Sequence, residues 1–174
     1  MLPLYCMPPP YAPYRANAPV SNTECLTNPL QPPLDAYDTN LNTALPLIAS
    51  SIQGERDDEL FYDDLIRLAP SQADKDIIAS IRNDERRHRQ WFRYIYYCLT
   101  GQQVPDAIDE SYQPTASYLE GLEKALFGEL SAVEKYRRIY FTVGPEPFRN
   151  IIFEILTDEL KHASKYNFLY AKNK

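Results

Sequence analysis

From Pro46 onward, apolar residues recur at three- and four-residue steps, the period of helices that turn one face to a core. Leu47, Ile48, Ile52, Leu60, Phe61, Leu65 and Leu68 form the first run, and Ala69-Pro70 ends it because a residue before proline is pushed out of the helical region. Ser71, with Asp74 three residues later, resembles a capping box with Asp in place of Glu. Ile77, Ile78, Ile81, Trp91, Phe92 and Ile95 then carry a second run to a stop at Gly101. The stretch Gly101 to Gln113, with Pro105 and Pro114 near its ends, is too long for a tight hairpin and suits a crossover along a bundle. Thr115 is the expected cap of a third run through Tyr118, Leu119, Leu122, Leu126, Leu130, Val133 and Ile139 to Gly144, and Phe148 to Leu169 makes the fourth. No period of two competes. The pattern predicts an all-α fold, an antiparallel four-helix bundle with one long crossover.

Ten of the 15 prolines precede residue 50, which separates an extended tail, residues 1–42, from a bundle at residues 43–174. The tail's tyrosines and leucines can dock on the bundle or a neighbouring subunit, or the tail can be a plain linker. A length of 174 residues suits one domain with a sizeable core, and a net charge of -6 with pI near 5.0 offers no footprint for nucleic acid. Cys6, Cys25 and Cys98 are widely spaced and odd in number, so neither a disulfide framework nor a sulfur-ligated metal is indicated. The start lacks a basic n-region, and no run of about 18 apolar residues follows, so a cytoplasmic protein without a membrane partner is expected.

The chemistry lies in an internal repeat. Glu55 in Gly54-Glu55 is followed after 30 residues by Glu85 in Asp84-Glu85-Arg86-Arg87-His88, and Glu129 in Gly128-Glu129 after the same 30 by Glu159 in Asp158-Glu159-Leu160-Lys161-His162. Residues three apart on a helix project side by side, so each Glu-x-x-His can offer an oxygen and a nitrogen to one ion. Two motifs then bind two ions, and Glu55 and Glu129 from the partner helices can bridge or cap the pair. Four carboxylates balance two divalent ions, whereas without metal they would repel one another inside the bundle. The apolar phase agrees: Ile78, Ile81, Phe92 and Ile95 flank Glu85 and His88 at four- and seven-residue steps, and Ile152, Ile155, Tyr166 and Leu169 flank Glu159 and His162 in the same way. Tyr62 and Tyr136 each stand seven residues after a Gly-Glu glutamate and share its face, as core packing or as partners of a ligand carboxylate. Glu59, one turn after Glu55, is an alternative ligand, but its equivalent is Val133, so symmetry favours Glu55; Glu134 should face away.

Over residues 46–170 the sequence resembles the ferritin-like di-iron superfamily, with Gly54-Glu55 and Gly128-Glu129 similar to rubrerythrin and Asp-Glu-x-x-His similar to bacterioferritin as well. The resemblance implies iron ligation by Glu55, Glu85, His88, Glu129, Glu159 and His162. It also implies that Asp84 and Asp158 accept from the Nδ1–H of the opposing His162 and His88, fixing their tautomers.

Several features depart from those relatives. There is no Cys-x-x-Cys for rubredoxin-type iron, so electrons must come from an external donor or from ferrous iron itself. The extra glutamate of rubrerythrin helix three is replaced by Ala132, with Asp58 at the matching place in helix one. Arg86 stands where bacterioferritin has its haem-binding methionine, so no haem is expected. The chain ends too soon after helix four for the fifth helix of cage-forming ferritins, and a homodimer is expected instead. The function so implied is an oxidoreductase with two iron ions per chain, or manganese, reacting with dioxygen or peroxide as a ferroxidase or peroxidase. The alternative is a structural or cargo protein that uses the bundle as a scaffold anchored by its tail.

Overall fold

The structure is a computed structural model that describes residues 40–53, 55–104 and 112–174, with the side chains of residues 53–58 outside that description. Its elements are five helices: α1 Leu41–Gln53, α2 Glu55–Leu68, α3 Gln72–Thr100, α4 Tyr118–Thr142 and α5 Glu146–Asn173. No strand occurs among the described residues, and none of the helices is long and apolar enough to cross a membrane. The tail expected at residues 1–42 lies, up to residue 39, outside the described residues.

The first predicted helix is described as two segments, α1 and α2, and it starts earlier than the apolar pattern indicated. The Asn40 carbonyl accepts from the N–H groups of Thr43 and Ala44 at 2.9 and 3.0 Å, which places Pro46 inside α1 rather than at its start. An interior proline costs about 3 kcal/mol, whereas each fully buried isoleucine contributes roughly 1.5–3 kcal/mol. Ile48 and Ile52, one turn apart and almost wholly buried, together outweigh the break.

The second helix follows its predicted limits. Ser71 Oγ accepts from the Asp74 N–H at 3.2 Å, and Gly101, left-handed at φ 69°, donates its N–H to the Tyr97 carbonyl. On α4 the cap is Ser117, not Thr115: Ser117 Oγ accepts from the Glu120 N–H at 3.2 Å, while the Thr115 hydroxyl donates to the Ser117 carbonyl. Periodicity marks where a run begins but does not separate two hydroxyl residues so close together. Gly144, at φ 91°, turns the chain into α5.

Two apolar clusters mark the ends of the bundle. One joins Ala44 and Ile48 of α1, Phe92 and Ile95 of α3, Ile139 of α4, and Phe148 and Ile152 of α5. The other joins Leu65 of α2, Ile78 and Ile81 of α3, Leu122 and Ala125 of α4, and Tyr166 and Leu169 of α5. The first end therefore collects the start of α1, the ends of α3 and α4 and the start of α5, so every packed neighbour runs antiparallel. α3 and α4 are diagonal and run the same way, so the chain must return the full length of the bundle between them. Residues 101–117 make that crossover, with 105–111 outside the described residues. Cys98 on α3 is disulfide-bonded. Cysteine spacing alone did not indicate this bond.

The second end is pinned by a buried acid. Asp74 accepts from Asn173 Nδ2 at 2.8 Å, from the Ser71 hydroxyl at 2.6 Å and from the Lys172 ammonium, tying the start of α3 to the end of α5. Burial alone would raise its pKa, but these partners outweigh burial and hold it at about 2. Because the folded value is depressed, this stability is present above the unfolded value of 3.8 and is lost as pH falls through about 2. Asp74→Ala is expected to lower the unfolding free energy by about 2–3 kcal/mol at neutral pH. Urea titration checks this, and a loss below about 0.5 kcal/mol would contradict it.

Candidate metal centre

Between the two apolar clusters lies a layer of ionisable side chains. Glu85 and His88 come from α3, Glu129 from α4, and Glu159 and His162 from α5. His88, Glu159 and His162 are at most 1% exposed and Glu129 is 7% exposed, whereas the Glu85 side chain keeps 15% of its surface open. The ligand atoms of Glu85, Glu129, Glu159 and His162 all lie within 4.8 Å of one another.

Glu85 and Glu159 each reach both histidines. Glu85 is 2.9 Å from His162 Nδ1 and 3.5 Å from His88 Nδ1, and Glu159 is 3.2 Å from His88 Nδ1 and 3.5 Å from His162 Nδ1. Glu129 approaches His162 Nδ1 alone, at 3.8 Å. The side chain of Glu55 and the residue Gly54 are outside the described residues, so the place corresponding to Glu129 on the His88 side is not described.

Four of these atoms, Glu85 Oε1, Glu159 Oε1 and both Nδ1, are fully buried without a hydrogen-bond partner. They stand close together yet do not bond each other in direction, so they converge on common points. Held together only as ion pairs and not by directed hydrogen bonds, four such buried atoms in one layer leave bonding capacity for an outside partner. A cation with mixed oxygen and nitrogen preference fits this donor set.

The outer nitrogens are held across the α3–α5 interface. His88 Nε2 lies 3.1 Å from Asp158 Oδ2, and His162 Nε2 lies 3.1 Å from Asp84 Oδ2. The expected exchange between opposing motifs is present, but the nitrogen facing the aspartate is Nε2 and the one facing the cluster is Nδ1. Each Nδ1 sits between the two glutamates, nearer that of the opposing helix, while each Nε2 reaches the opposing aspartate.

Two cations complete this face. Arg87 bridges Asp84 and Asp158 at 3.2 and 3.1 Å, and Lys161 bridges the same pair at 3.0 and 2.6 Å. Each stands one residue before its histidine, so the halves repeat this feature as well; the paired basic positions were the available signal. By contrast, Glu59 binds Arg86 through both oxygens at 2.7 Å and Arg89 at 2.6 Å, which directs it away from the cluster. Glu134 is exposed and pairs with Arg137.

Neighbouring carboxylates favour a proton on each imidazole. Burial disfavours charge on His88, but Asp158, Glu159 and Glu85 outweigh it and raise its pKa to about 11. On His162 burial is likewise outweighed by Glu129, Glu159 and Glu85, which raise it to about 12. Burial and the Glu159 and Glu85 charges push Glu129 well up, whereas Glu159 is held down despite its burial by the two imidazoles.

Three tyrosines close the layer. Tyr62 and Tyr136 are buried as their phase requires, and the Tyr136 ring packs on Phe92 at 5.0 Å. Burial raises the Tyr136 phenol well above its ordinary value, as do the charges of Glu159 and Glu85, and a hydrogen bond links it to Ser51. The third, Tyr166, is fully buried with no partner for its hydroxyl.

Antiparallel helices around a buried layer of carboxylates and imidazoles define, in class, an all-α bundle with a candidate metal centre. The sequence model of the rubrerythrin family matches residues 47–170, and the chain belongs to that family. No curated protein and no solved structure matches the chain.

Proposed function

We propose that this chain is a di-iron carboxylate oxidoreductase that reacts with dioxygen or hydrogen peroxide, as a ferroxidase or a peroxidase. The observation that carries the reading is the convergence of four buried, unpartnered ligand atoms from Glu85, His88, Glu159 and His162. Membership of the rubrerythrin family supports the metal, and carboxylate-rich donors admit manganese as well as iron.

In this reading Glu85 and Glu159 would each serve both ions, because each reaches both histidines. His162 and Glu129 would hold one ion and His88 the other, with Glu55 assigned to the second by the sequence repeat alone. When bound, the pair supplies the redox couple, giving electrons to dioxygen or peroxide as ferrous iron becomes ferric. Asp84 and Asp158 fix the imidazole orientation and make the ligating nitrogens more basic, with Arg87 and Lys161 holding the aspartates. The apolar clusters on either side keep bulk water from the layer. Reducing equivalents come from an external donor or from ferrous iron itself.

The test is metal content after purification, then anaerobic ferrous loading followed by air or by peroxide. About two ions per chain and a ferric oxo-bridge absorption are expected. Faster oxidation by peroxide than by air assigns a peroxidase, and the reverse a ferroxidase. Protein that takes up no metal would sink the reading.

A further inference from the structure

Aligning the halves on their Gly-Glu glutamates places Tyr166 opposite Phe92, each four residues after its histidine. Such a step leaves each ring beside the imidazole, one turn further along the same face. The two positions therefore close the ionisable layer from its two ends, one with a phenol and one with a hydrocarbon.

Their surroundings differ as well. Phe92 packs on Tyr136 with ring centroids 5.0 Å apart, and Tyr136 is itself hydrogen-bonded to Ser51, so that end holds no unused polar atom from this pair. At the other end Tyr166 is 0% exposed, and its hydroxyl is buried without a partner. Burial first, and then the nearby carboxylates of Glu129, Glu85 and Glu159, push this phenol well above its ordinary pKa. Standing one turn beyond His162 on the same face of α5, the ring borders the layer on the His162 side, where Glu129 also approaches. Burial and these carboxylates keep it protonated, hence a donor.

A tyrosine in a packed core ordinarily finds an acceptor for its hydroxyl, because an unmade bond there is costly. A phenylalanine would fill the same space without that cost, as Phe92 does in the other half. We infer that Tyr166 donates a hydrogen bond to a small anionic ligand, such as hydroxide or azide, bound at the ion that Glu129 and His162 hold. The two metal positions are then unequal: one accepts the outside ligand, and the other, facing Phe92, does not. Tyr166 is a binding and positioning residue for that ligand, and its role rests on the di-metal reading above.

The probe is azide, titrated optically into the iron-loaded full chain, with iron content and the melting temperature of the metal-free protein measured alongside. Tyr166→Phe should weaken azide binding about tenfold, the scale of a hydrogen bond to a charged acceptor, with iron content unchanged. Because the substitution removes an unpartnered hydroxyl, the metal-free variant should melt no lower than the parent. A fluorinated tyrosine at position 166, a stronger donor of nearly the same shape, should tighten azide binding. Iron-loaded Tyr166→Phe and fluorotyrosine proteins that bind azide as the parent does would overturn the inference while leaving the metal reading intact. A parent chain that takes up no iron would overturn both.

Discussion

Replacing Glu159 with alanine is expected to abolish uptake of both ions, whereas Glu129→Ala should leave about one bound per chain. The difference follows from reach. Glu159 lies 3.2 Å from one Nδ1 and 3.5 Å from the other, so its loss takes a ligand from each ion at once. Glu129 approaches His162 alone, so its loss leaves His88, Glu85 and Glu159 in place. Removing a bridge also leaves each ion with fewer anionic oxygens than its charge requires, and divalent ions in a dry layer depend on that balance. Iron content after anaerobic loading checks the prediction, with circular dichroism confirming that each variant is helical. Two ions retained in Glu159→Ala, or none in Glu129→Ala, would contradict the division into bridging and terminal roles.

The helices and the inward placing of Glu85, His88, Glu129, Glu159 and His162 were legible because both depend on period. Ile78, Ile81, Phe92 and Ile95 share a stripe with Glu85 and His88, and a stripe that repeats in two helices leaves little freedom in what faces inward. Legibility failed where local preference and packing disagree. Pro46 reads as a helix start, yet the helix runs through it because two isoleucines beyond it are buried. It failed again where direction matters rather than face. Spacing puts His88 and His162 in the core, but side-chain torsions decide that Nδ1 turns to the carboxylates and Nε2 to the aspartates. Asymmetry between the halves was visible as letters, with Glu59 against Val133 and Phe92 against Tyr166. Its meaning came only with tertiary contacts, when Glu59 was found on Arg86 and Arg89 and Tyr166 without a partner.

Ferrous loading at neutral pH is expected to release about two protons or more per chain, one from each histidine and a further share from Glu129. The neighbouring carboxylates raise His88 to about 11 and His162 to about 12 in the metal-free fold, so both imidazoles carry a proton there at pH 7. Glu129, pushed up by burial and by Glu159 and Glu85, holds one as well. A metal ligates only the deprotonated nitrogen and the carboxylate, so each ion must displace them. The sign follows: affinity rises with pH, about tenfold per unit for each proton displaced, until the histidines lose their protons unaided. The metal-free fold behaves in the opposite sense. With both folded values above the ordinary 6.5, the stability from charged imidazoles is complete below that pH. It is then lost as pH rises through about 11 to 12. An indicator dye in weak buffer counts the released protons during anaerobic titration, and melting curves follow the metal-free protein across the alkaline range. Ferrous binding with no proton release would mean that the layer is already deprotonated, and the charge pattern argued for Glu85, Glu129, Glu159 and the histidines would then be wrong.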